Sequence, residues 1–493
     1  MTLDSLIARG QIVQGHQPWP RIIVDVGTWS LATDELTQGT LSLFGLWAAE
    51  KTVHMALLEA NTIAVLSLNC AGGSFPSVGQ FHASAIRLER TIRDLFGLVP
   101  RQAPDMRPWL DHGRWDAQPQ LALDNAGYTF LPVEGEDLHQ IPVGPVHAGI
   151  IEPGHFRFTA SGETIVRLEE RLGYVHKGIE SLMTGASLER AAELACHTSG
   201  DSAIAYGIAF ARAVEAATGI SPPPRAVYLR ALMAEFERIA NHLGDFGAIC
   251  NDASFTLMHA HCGVLRERVL RAAHVAFGHR LMMNCIVPGG VACDITRDGS
   301  TLVRDCVAEI KRRLPALVEI YEDTASLQDR TVGTGILKPE LAQRFAAGGY
   351  VGRASARNFD ARRDLAYAPY DTLTFEVPVQ DAGDVDARVA IRVREIEQSL
   401  KLIEQILANL PVSALHVDVP QRASEGIAVA EGFRGDVLAW VRMNSDGTVA
   451  RCHLRDPSWF QWPLLEVVVE GNIVADFPLC NKSFNCSYSG HDL

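Results

Sequence analysis

Two long segments in the second half of the chain repeat apolar residues at helical spacing. Segment 224–247 opens with Pro224, which suits the first turn of a helix, and its apolar residues lie four, four, three and four positions apart: Tyr228, Leu232, Phe236, Ile239 and Leu243. Segment 385–410 alternates steps of four and three through Val389, Val393, Ile396, Leu400, Ile403, Leu407 and Leu410. This repeat predicts a helix with one apolar seam for antiparallel bundle packing, and it favours a core helix over a separate coiled-coil dimer.

Shorter apolar runs near the two ends of the chain predict strands. The predicted strands are "RIIVDVG" (21–27), "TIAVLSLNC" (62–70, within an apolar run over 55–70), "DVLAWVRMN" (436–444) and "TVARCHLRD" (448–456), the last two joined by a turn at Asp446-Gly447. Alternation around Ser161-Gly162 predicts a further hairpin in 154–178. Between the first strands and this hairpin, "SVGQFHASAIRLERTIRDLFG" (77–97) predicts an amphipathic helix that stops at Gly97.

These elements divide the chain into two predicted domains. Residues 104–146 are rich in Pro, Asp, Gly and Trp and show little periodicity, which is typical of an extended linker. We therefore predict an α+β N-terminal domain over 1–125, a linker over 126–143, and a mainly α helical-bundle domain with a small β margin over 144–493.

Composition and charge narrow the function classes. The chain has 44 Lys and Arg against 58 Asp and Glu, a net charge of −14, which argues against nucleic-acid binding and against docking on anionic lipid. No apolar run reaches the roughly 18–20 charge-free residues of a membrane span, and the N-terminal segment lacks the features of a secretory signal. We expect a protein of the cytoplasm or of its membrane face. The ten cysteines include no C-x-x-C pair, which favours buried free thiols over metal ligands.

Two short motifs carry candidate chemistry with a structural alternative beside each. In "EPGHFRF" (152–158), Glu152, His155 and Arg157 lie close in sequence, and a carboxylate beside an imidazole relays protons near neutral pH. Spacing alone favours an exposed polar turn there. In "HTSGDSAIAYG" (197–207), Ser199 and Ser202 are spaced as the ends of C-x-x-C, but the pattern favours Ser199 or Asp201 as the N-cap of a helix over 203–216.

Two further motifs also contain candidate functional residues. "ERIANHLGDFGAICND" (237–252) places five polar residues on one or two helical turns, and the pattern leaves a buried network and a solvated face both open: Glu237, Arg238, Asn241, His242 and Asp245. In "DPSWFQW" (456–462), Asp456-Pro457 predicts a loop in which Ser458 and Gln461 are three residues apart. Neither a serine hydroxyl nor an amide replaces a thiolate on a soft transition metal.

Taken in order, these places resemble one family, the fused large subunits of formate-hydrogenlyase and hydrogenase-4 type complexes. That family joins a part similar to the 30-kDa subunit of complex I to a part similar to its 49-kDa subunit, itself related to the large subunit of nickel–iron hydrogenases. The first part is similar to "LERTIRDLFGLVPRQAPDMRPWL" (88–110). The second is similar to "GPVHAGIIEPGHFRF" (144–158), "LGYVHKGIE" (172–180), "LRALMAEFERIANHLGDFGA" (229–248), "VPGGV" (287–291), "RASARNFDARRDLAYAPYD" (353–371) and "DFPLCNKSFNCSYSGHDL" (476–493).

The chain departs from this family at the metal ligands. The resemblance places Ser199 and Ser202 on the first C-x-x-C of the nickel–iron enzymes, and Ser458 and Gln461 on the second, which follows an Asp-Pro. All four thiolates are absent, and Cys196 stands three residues before Ser199. We therefore expect no metal on this chain.

The quinone-contacting residues of complex I are also replaced. The place of the complex I tyrosine is taken by Gly200, and His155 lies beside the expected histidine position, which holds Pro153 or Gly154. Quinone as a substrate is therefore implied by the family's cavity and not by matched residues.

The resemblance implies a nickel-free oxidoreductase subunit, active only within a membrane-associated complex and lying peripherally on the inner face of the cell membrane. It binds no cofactor itself in this expectation. Electrons come from the iron–sulfur cluster of a small partner subunit, similar to the 20-kDa subunit of complex I, and go to a quinone-type acceptor. Ion movement takes place in antiporter-like and membrane-anchor-like partners, and the resemblance also implies NAD binding.

For single residues, the resemblance implies that Glu152 and His155 carry protons, that Arg157 holds an anionic acceptor, and that Asp201 takes part in catalysis. It places five residues around the emptied metal pocket: Ser199, Ser202, Asp456, Ser458 and Gln461. Two alternatives remain, a scaffold subunit without redox chemistry and an active hydrogenase with an atypical metal site.

Overall fold

Apolar strands in the first hundred residues build a five-stranded sheet against which two helices pack. The computed structural model describes residues 2–113, 115, 128–146 and 151–492, so the boundary predicted after residue 125 lies outside the described residues. The elements here are α1 (Leu3–Ile7), β1 (Gln11–Ile12), β2 (His16–Gln17), β3 (Arg21–Val24), α2 (Val26–Gln38), β4 (Ser42–Ala49), β5 (Thr52–Glu59), β6 (Thr62–Asn69), β7 (Ser74–Pro76), a 3₁₀ turn (Ala83–Ala85), α3 (Ile86–Phe96) and β8 (Val99–Arg101). The sheet order is β1-β3-β6-β5-β4, and only β3 and β6 are parallel.

The first predicted strand is shorter than the sequence indicated. Strand β3 ends at Val24 because the Asp25 carboxylate accepts the backbone N–H of Thr28 at 2.7 Å and begins helix α2. The apolar run over 55–70 is divided between β5 and β6 by a turn in which Ala60 has a φ of 52°.

The helix predicted over 77–97 begins only at Ile86. The carboxylate of Glu89 accepts the backbone N–H groups of Val78 at 2.6 Å and Gly79 at 3.2 Å, which holds that stretch as a loop. Gly97 ends the helix in the left-handed conformation, as predicted.

Part of the predicted linker is a strand. Strand β9 (Leu138–Val146) pairs antiparallel with β10 (Gly154–Ser161), which pairs with β11 (Thr164–Arg171) across the predicted turn. The linker interpretation is therefore wrong for 138–143, because the backbone hydrogen bonds of β9 are made with the hairpin that follows it. The sequence pattern missed β9 because most of its side chains are exposed or half-buried on an edge strand.

The rest of the chain is mainly helical, as predicted. Its helices are α4 (Ile179–Met183), α5 (Leu188–Cys196), α6 (Ala203–Thr218), α7 (Pro224–Asp252), α8 (Thr256–Phe277), α9 (Arg297–Asp323), α10 (Ala325–Thr331), α11 (Pro339–Arg344), α12 (Gly349–Arg353), α13 (Ala361–Asp364), α14 (Val385–Ala408), α15 (Ser458–Val468) and α16 (Phe477–Phe484). Helix α7 packs on α8 and α14, and α8 packs on α9. Both long helices expected from the periodicity are confirmed as α7 and α14. No helix in the described part of the chain is long and apolar enough to cross a bilayer.

The four-stranded sheet near the C-terminus includes one strand, β2, from the N-terminal part of the chain. Strands β14 (Ser424–Gly432), β15 (Gly435–Met443) and β16 (Val449–Arg455) follow β12 (Ile286–Val287) and β13 (Gly290–Val291), which form a small hairpin of their own. The order is β16-β15-β14-β2, and His16 of β2 pairs in parallel with Glu425 of β14. Helix α6 packs on β14 and β15.

The hydrophobic cores cross the predicted domain boundary. Trp47 of β4 stacks on His453 of β16 with ring centroids 4.9 Å apart, and it lies 5.8 Å from Trp440 of β15. Each of the two core clusters contains side chains from both predicted domains. Buried polar contacts join them as well, including the Arg21–Glu425 ion pair at 2.8 Å. The fold thus mixes helices and sheets as predicted, and its N-terminal sheet is packed into the body of the molecule.

Candidate functional site

The segment before α6 places a carboxylate between two serine hydroxyls. The Asp201 carboxylate accepts from the Ser199 hydroxyl at 2.7 Å and from the Ser202 hydroxyl at 3.2 Å. The predicted N-cap by Ser199 or Asp201 is wrong. Ser202 occupies the cap position without a side-chain bond, because the Glu237 carboxylate accepts the first N–H groups of the helix, from Ile204 at 2.7 Å and from Ala205 at 3.1 Å.

Asp201 forms an ion pair with Arg434, which lies in the turn between β14 and β15. The Arg434 guanidinium donates to both carboxylate oxygens, at 2.8 and 2.6 Å. Burial raises the pKa of Asp201, but the Arg434 charge and the bonds from Arg434, Ser199 and Ser202 outweigh it and lower that pKa to about 2. Asp201 is therefore a fixed anion at neutral pH. Its side chain is 35% exposed, whereas both serines are buried.

The predicted Asp-Pro loop is the start of a helix. Asp456 accepts the backbone N–H of Ser458 at 2.8 Å, and α15 begins at Ser458 and includes Gln461. The other Asp456 oxygen accepts the hydroxyl of Tyr206 at 2.7 Å. The Gln461 amide donates to backbone carbonyls of Gly348 and Arg434 at 3.1 and 2.9 Å. The loop prediction is corrected because the Asp456 carboxylate caps the first turn of α15.

The structure brings the two segments together through Ser487 near the C-terminus. The Ser487 hydroxyl lies 3.3 Å from that of Ser199, and the Ser487 backbone N–H donates to the Ser458 hydroxyl at 2.8 Å. Arg434 makes a second connection between the two segments, because its guanidinium donates to Asp201 and its backbone carbonyl accepts from the Gln461 amide. We call this set the serine pocket: Ser199, Asp201, Ser202, Asp456, Ser458, Gln461 and Ser487.

The donors of the serine pocket do not fit a nickel–iron centre. Its side chains offer hydroxyl, amide and carboxylate oxygens, and protein hydrogen bonds engage each residue, whereas a soft centre prefers thiolates. In the part of the chain that the structure describes, no group of three His, Cys, Asp or Glu residues is arranged to hold a metal. Burial raises the pKa of Cys196 to about 12 and that of Cys486 well above its usual value.

The hairpin residues divide into two groups. Glu152 accepts from the Ser489 hydroxyl, and Lys177 donates to the carbonyls of Ser489 at 2.7 Å and of Thr198 at 3.1 Å, which connects Glu152 to the segment that carries Ser199. His155 lies elsewhere on the hairpin.

His155 is buried, which corrects the exposed turn that spacing favoured. Its Nδ1 lies 3.0 Å from the Gly144 carbonyl, and burial lowers its pKa. Arg157 lies with its guanidinium 4.0 Å from the centre of the Phe130 ring and donates to Nε2 of His155 at 3.4 Å. Between the described residues Glu152 and His155 there is no hydrogen bond, so the structure does not pair them as a relay.

The cluster on α7 is a buried network and not a solvated face. Arg238 donates to the carbonyl of Gly432 at 2.9 Å, and Nε2 of His242 lies 2.8 Å from the Glu395 carboxylate. Two members lie beside the serine pocket: Asn241 donates to the backbone carbonyl of Asp201 at 2.7 Å, and Glu237 accepts the N–H groups of Ile204 and Ala205. Burial raises the pKa of Glu237 to about 8, although two backbone N–H groups bond to it, and the negative charge of Asp201 adds to the rise.

Sequence reasoning assigned no role in the site to Tyr206, Arg434 and Ser487, and left that of Glu237 open. Tyr206 and Arg434 each pair with an acidic residue more than 200 positions away, at Asp456 and Asp201. The one available signal was a pair of glutamates, Glu235 and Glu237, on a helix that is otherwise largely apolar. A carboxylate on a helix that is otherwise buried needs a hydrogen-bond or ion-pair partner, so these two glutamates indicated a buried polar contact.

Buried glutamates and histidines predict opposite effects of pH on stability. Burial raises the pKa of Glu89 and Glu431 to about 7 and that of Glu237 to about 8, and it lowers the pKa of His16 and His82 to about 4. Each glutamate stays protonated in the folded state up to its raised pKa, so its contribution to stability declines as pH rises from the unfolded value of about 4.3 through the folded value of about 7 or 8. The histidines stay neutral, so theirs declines as pH falls below about 6.5.

Denaturant unfolding at pH 5, 6.5 and 8 checks this expectation. The free energy of unfolding should fall between pH 6.5 and 8, and Glu237→Gln should reduce that fall. Stability that rises steadily from pH 6.5 to 8 contradicts the assigned protonation states.

Comparisons with known proteins agree with this architecture. Residues 34–124 match the family "Respiratory-chain NADH dehydrogenase, 30 Kd subunit", and residues 253–425 match "Respiratory-chain NADH dehydrogenase, 49 Kd subunit". Formate hydrogenlyase subunit 5 of Escherichia coli (strain K12) is 31% identical over 438 residues, which cover 85% of this chain and 77% of the relative. Hydrogenase-4 component G of the same organism is 30% identical, with 92% and 82% of the two chains covered.

A solved structure and a further relative extend the likeness. The structure of the membrane-bound sulfane sulfur reductase, an archaeal respiratory membrane complex, contains a chain that matches with a TM-score of 0.69 and 25% identity, covering 74% of this chain and all of that one. A fused C/D-type NADH-quinone oxidoreductase polypeptide of Phocaeicola vulgatus is 28% identical over 79% of this chain and 81% of its own length. The chain therefore belongs to the family of fused large subunits, with 30-kDa-type and 49-kDa-type parts, that are oxidoreductase subunits of membrane-bound hydrogenase and NADH–quinone oxidoreductase complexes.

Proposed function

We propose that this chain is a nickel-free core subunit that supports electron transfer from a partner's iron–sulfur cluster to a quinone-type acceptor. The observation that carries this proposal is the serine pocket. At the positions of the family's metal ligands, the serine hydroxyls bond to Asp201, to Ser487 or to the backbone, and Gln461 donates through its amide nitrogen, while Gln461 Oε1 has no partner among the described residues. These hydrogen bonds connect the two segments without a metal.

The pocket supplies two acids with opposite protonation. Asp201 is anionic because its pKa is about 2, and Glu237 is neutral at pH 7 because its pKa is about 8. Such a split is typical of sites that divide charge stabilisation from proton donation. A cavity of about 20 Å³ is lined by both residues together with Gly200 and Asn241. This space is large enough for about one water molecule. In this proposal Glu237 supplies the proton that a reduced acceptor takes up, and Asp201 is the exposed anion that orients it.

The hairpin contributes a second group of side chains to the proposal. Glu152 exchanges protons through Ser489, to which it is hydrogen-bonded. His155 is neutral at pH 7 because burial lowers its pKa, which leaves it able to accept a proton. Arg157 keeps its charge over the Phe130 ring and is suited to an anionic acceptor.

The assembly follows from the relatives. Formate hydrogenlyase, hydrogenase-4 and the sulfane sulfur reductase are named as multi-component or membrane-bound systems. We place this chain at the inner face of a membrane, held there by a small iron–sulfur subunit and by antiporter-like and anchor-like membrane subunits that move the ion. NAD binding enters only at the level of the assembled complex. Within the chain, the 1–125 and 144–493 division remains our proposal, with cores shared between the two parts.

Metal analysis and a quinone reductase assay on the purified complex test this proposal. We expect nickel far below one atom per chain and quinone reduction with a low-potential electron donor. The double variant Glu152→Gln with His155→Ala should lower turnover by roughly 100-fold, in line with the loss of general acid–base groups.

The matched control is Glu163→Gln with His139→Ala, two exposed residues in the β10–β11 turn and in β9, and it should retain full turnover. Stoichiometric nickel overturns the proposal in favour of a hydrogenase with an atypical site. Turnover that the first double variant leaves unchanged favours a scaffold subunit.

A further inference from the structure

Two cysteines beside the β12–β13 hairpin form a pair that the function proposed above does not use. The backbone N–H of Ala292 donates to the Cys285 carbonyl at 2.9 Å, so the residues flanking the hairpin are held next to each other. The Sγ atoms of Cys285 and Cys293 lie 3.6 and 3.7 Å from the same acceptor, the carbonyl oxygen of Phe277.

The two thiols differ in access to solvent. All ten cysteines lie in the described part of the chain, and Cys293 alone among them is partly exposed, whereas Cys285 is 4% exposed. The interaction between the two thiols lowers the pKa of Cys293 and, with burial, raises that of Cys285, so Cys293 is the more acidic thiol of the pair. An accessible thiolate next to a buried second thiol is the arrangement of redox-sensing cysteines.

We propose that Cys285 and Cys293 are a redox-active dithiol that hydrogen peroxide converts to a disulfide. The Cys293 thiolate attacks one peroxide oxygen, the O–O bond breaks, and the departing hydroxide takes up a proton to become water. The Cys293 sulfur is then a sulfenic acid. The Cys285 sulfur attacks it, the S–S bond forms, and a second water leaves with the Cys285 proton. Two thiols and one peroxide thus give one disulfide and two waters.

The disulfide would act on a segment that packs against the serine pocket. A Cβ placed on Gly200, which lies between Ser199 and Asp201, would be 3.5 Å from Cε of Met283 and 3.9 Å from Cδ1 of Leu281. Both residues lie directly before Cys285 in the chain. Oxidation therefore restrains the residues that contact the start of the Asp201 loop.

Peptide mass spectrometry on the purified complex tests the proposal. Trypsin cleaves after Arg280 and Arg297, so both cysteines lie in one peptide, 281–297, together with Met282 and Met283, which report exposure to peroxide. After mild treatment with hydrogen peroxide, we expect this peptide to lose two hydrogen atoms and to resist alkylation until it is reduced. Before oxidation, Cys293 should react with iodoacetamide roughly tenfold faster than any other cysteine.

Single variants separate the two roles. Cys285→Ser should leave Cys293 as a sulfenic acid that a cyclic 1,3-diketone traps, and Cys293→Ser should leave Cys285 reduced. Cys306→Ser, a buried cysteine on α9, is the matched control and should form the disulfide as the unchanged protein does. A peptide that keeps two alkylatable thiols while its methionines are oxidised overturns the proposal, as does identical behaviour of the first two variants.

Discussion

Replacing Arg353 by methionine should lower the free energy of unfolding by about 3–5 kcal/mol, the usual result when one partner of a buried ion pair is removed. Arg353 is fully buried and donates to Glu395 at 2.9 Å and to Glu431 at 2.9 Å, and it lies 3.3 Å from Asp360. Methionine fills a similar space but leaves these carboxylates with one cation fewer. Denaturant unfolding of the purified protein measures the loss.

The matched control is an arginine in an exposed pair. Arg190 forms an i,i+3 ion pair with Glu193 at 3.0 Å, and their side chains are 59% and 48% exposed. Arg190→Met should change the free energy of unfolding by less than about 0.5 kcal/mol, because solvent screens such pairs. Equal losses in the two variants contradict the importance assigned to the buried network.

Glu237→Gln should lower quinone reductase turnover of the assembled complex by roughly 100-fold. The N–H groups of Ile204 and Ala205 bond to different oxygens of Glu237, so glutamine keeps an acceptor for one of them, loses the acceptor for the other, and lacks the transferable proton. Glu189→Gln, an exposed change on α5, should leave turnover unchanged. Turnover in Glu237→Gln equal to that of the control excludes Glu237 as the proton donor.

The pH profile separates a proton donor from a structural residue. If Glu237 donates the proton, turnover should fall above its pKa of about 8. Because the charge of Asp201 helps to raise that pKa, Asp201→Asn should move the fall to lower pH. A profile that Asp201→Asn does not shift contradicts the coupling between the two acids.

Much of the fold was predictable where the local pattern and the tertiary environment agree. Helices α7 and α14 each bury a continuous apolar stripe against other helices, so their sequences carry the helical period. Strand β9 lies at the edge of its sheet with few buried side chains, and its sequence therefore shows no alternation. The predicted start of α3 was wrong because a carboxylate inside the helix, Glu89, bonds to the loop before it.

The candidate site was predictable only in part, because the residues that connect its two segments are far from them in the sequence. The resemblance indicated Ser199, Ser202, Ser458 and Gln461, and the structure places them around one pocket. Arg434 and Ser487 complete it from sequence positions that carry no local motif. The roles of Glu152, His155 and Arg157 remain predictions, since the hairpin holds His155 and Glu152 on different partners.

The parallel pairing of His16 with Glu425 sets an order of events during synthesis. About 400 residues separate the two strands, as the separation of 404 positions between Arg21 and Glu425 also shows. At ribosomal rates of about 5–20 residues per second, the N-terminal strand waits roughly 20–80 seconds for its partner. The apolar face around Trp47 thus stays without its partners on β15 and β16 until those strands have been synthesised.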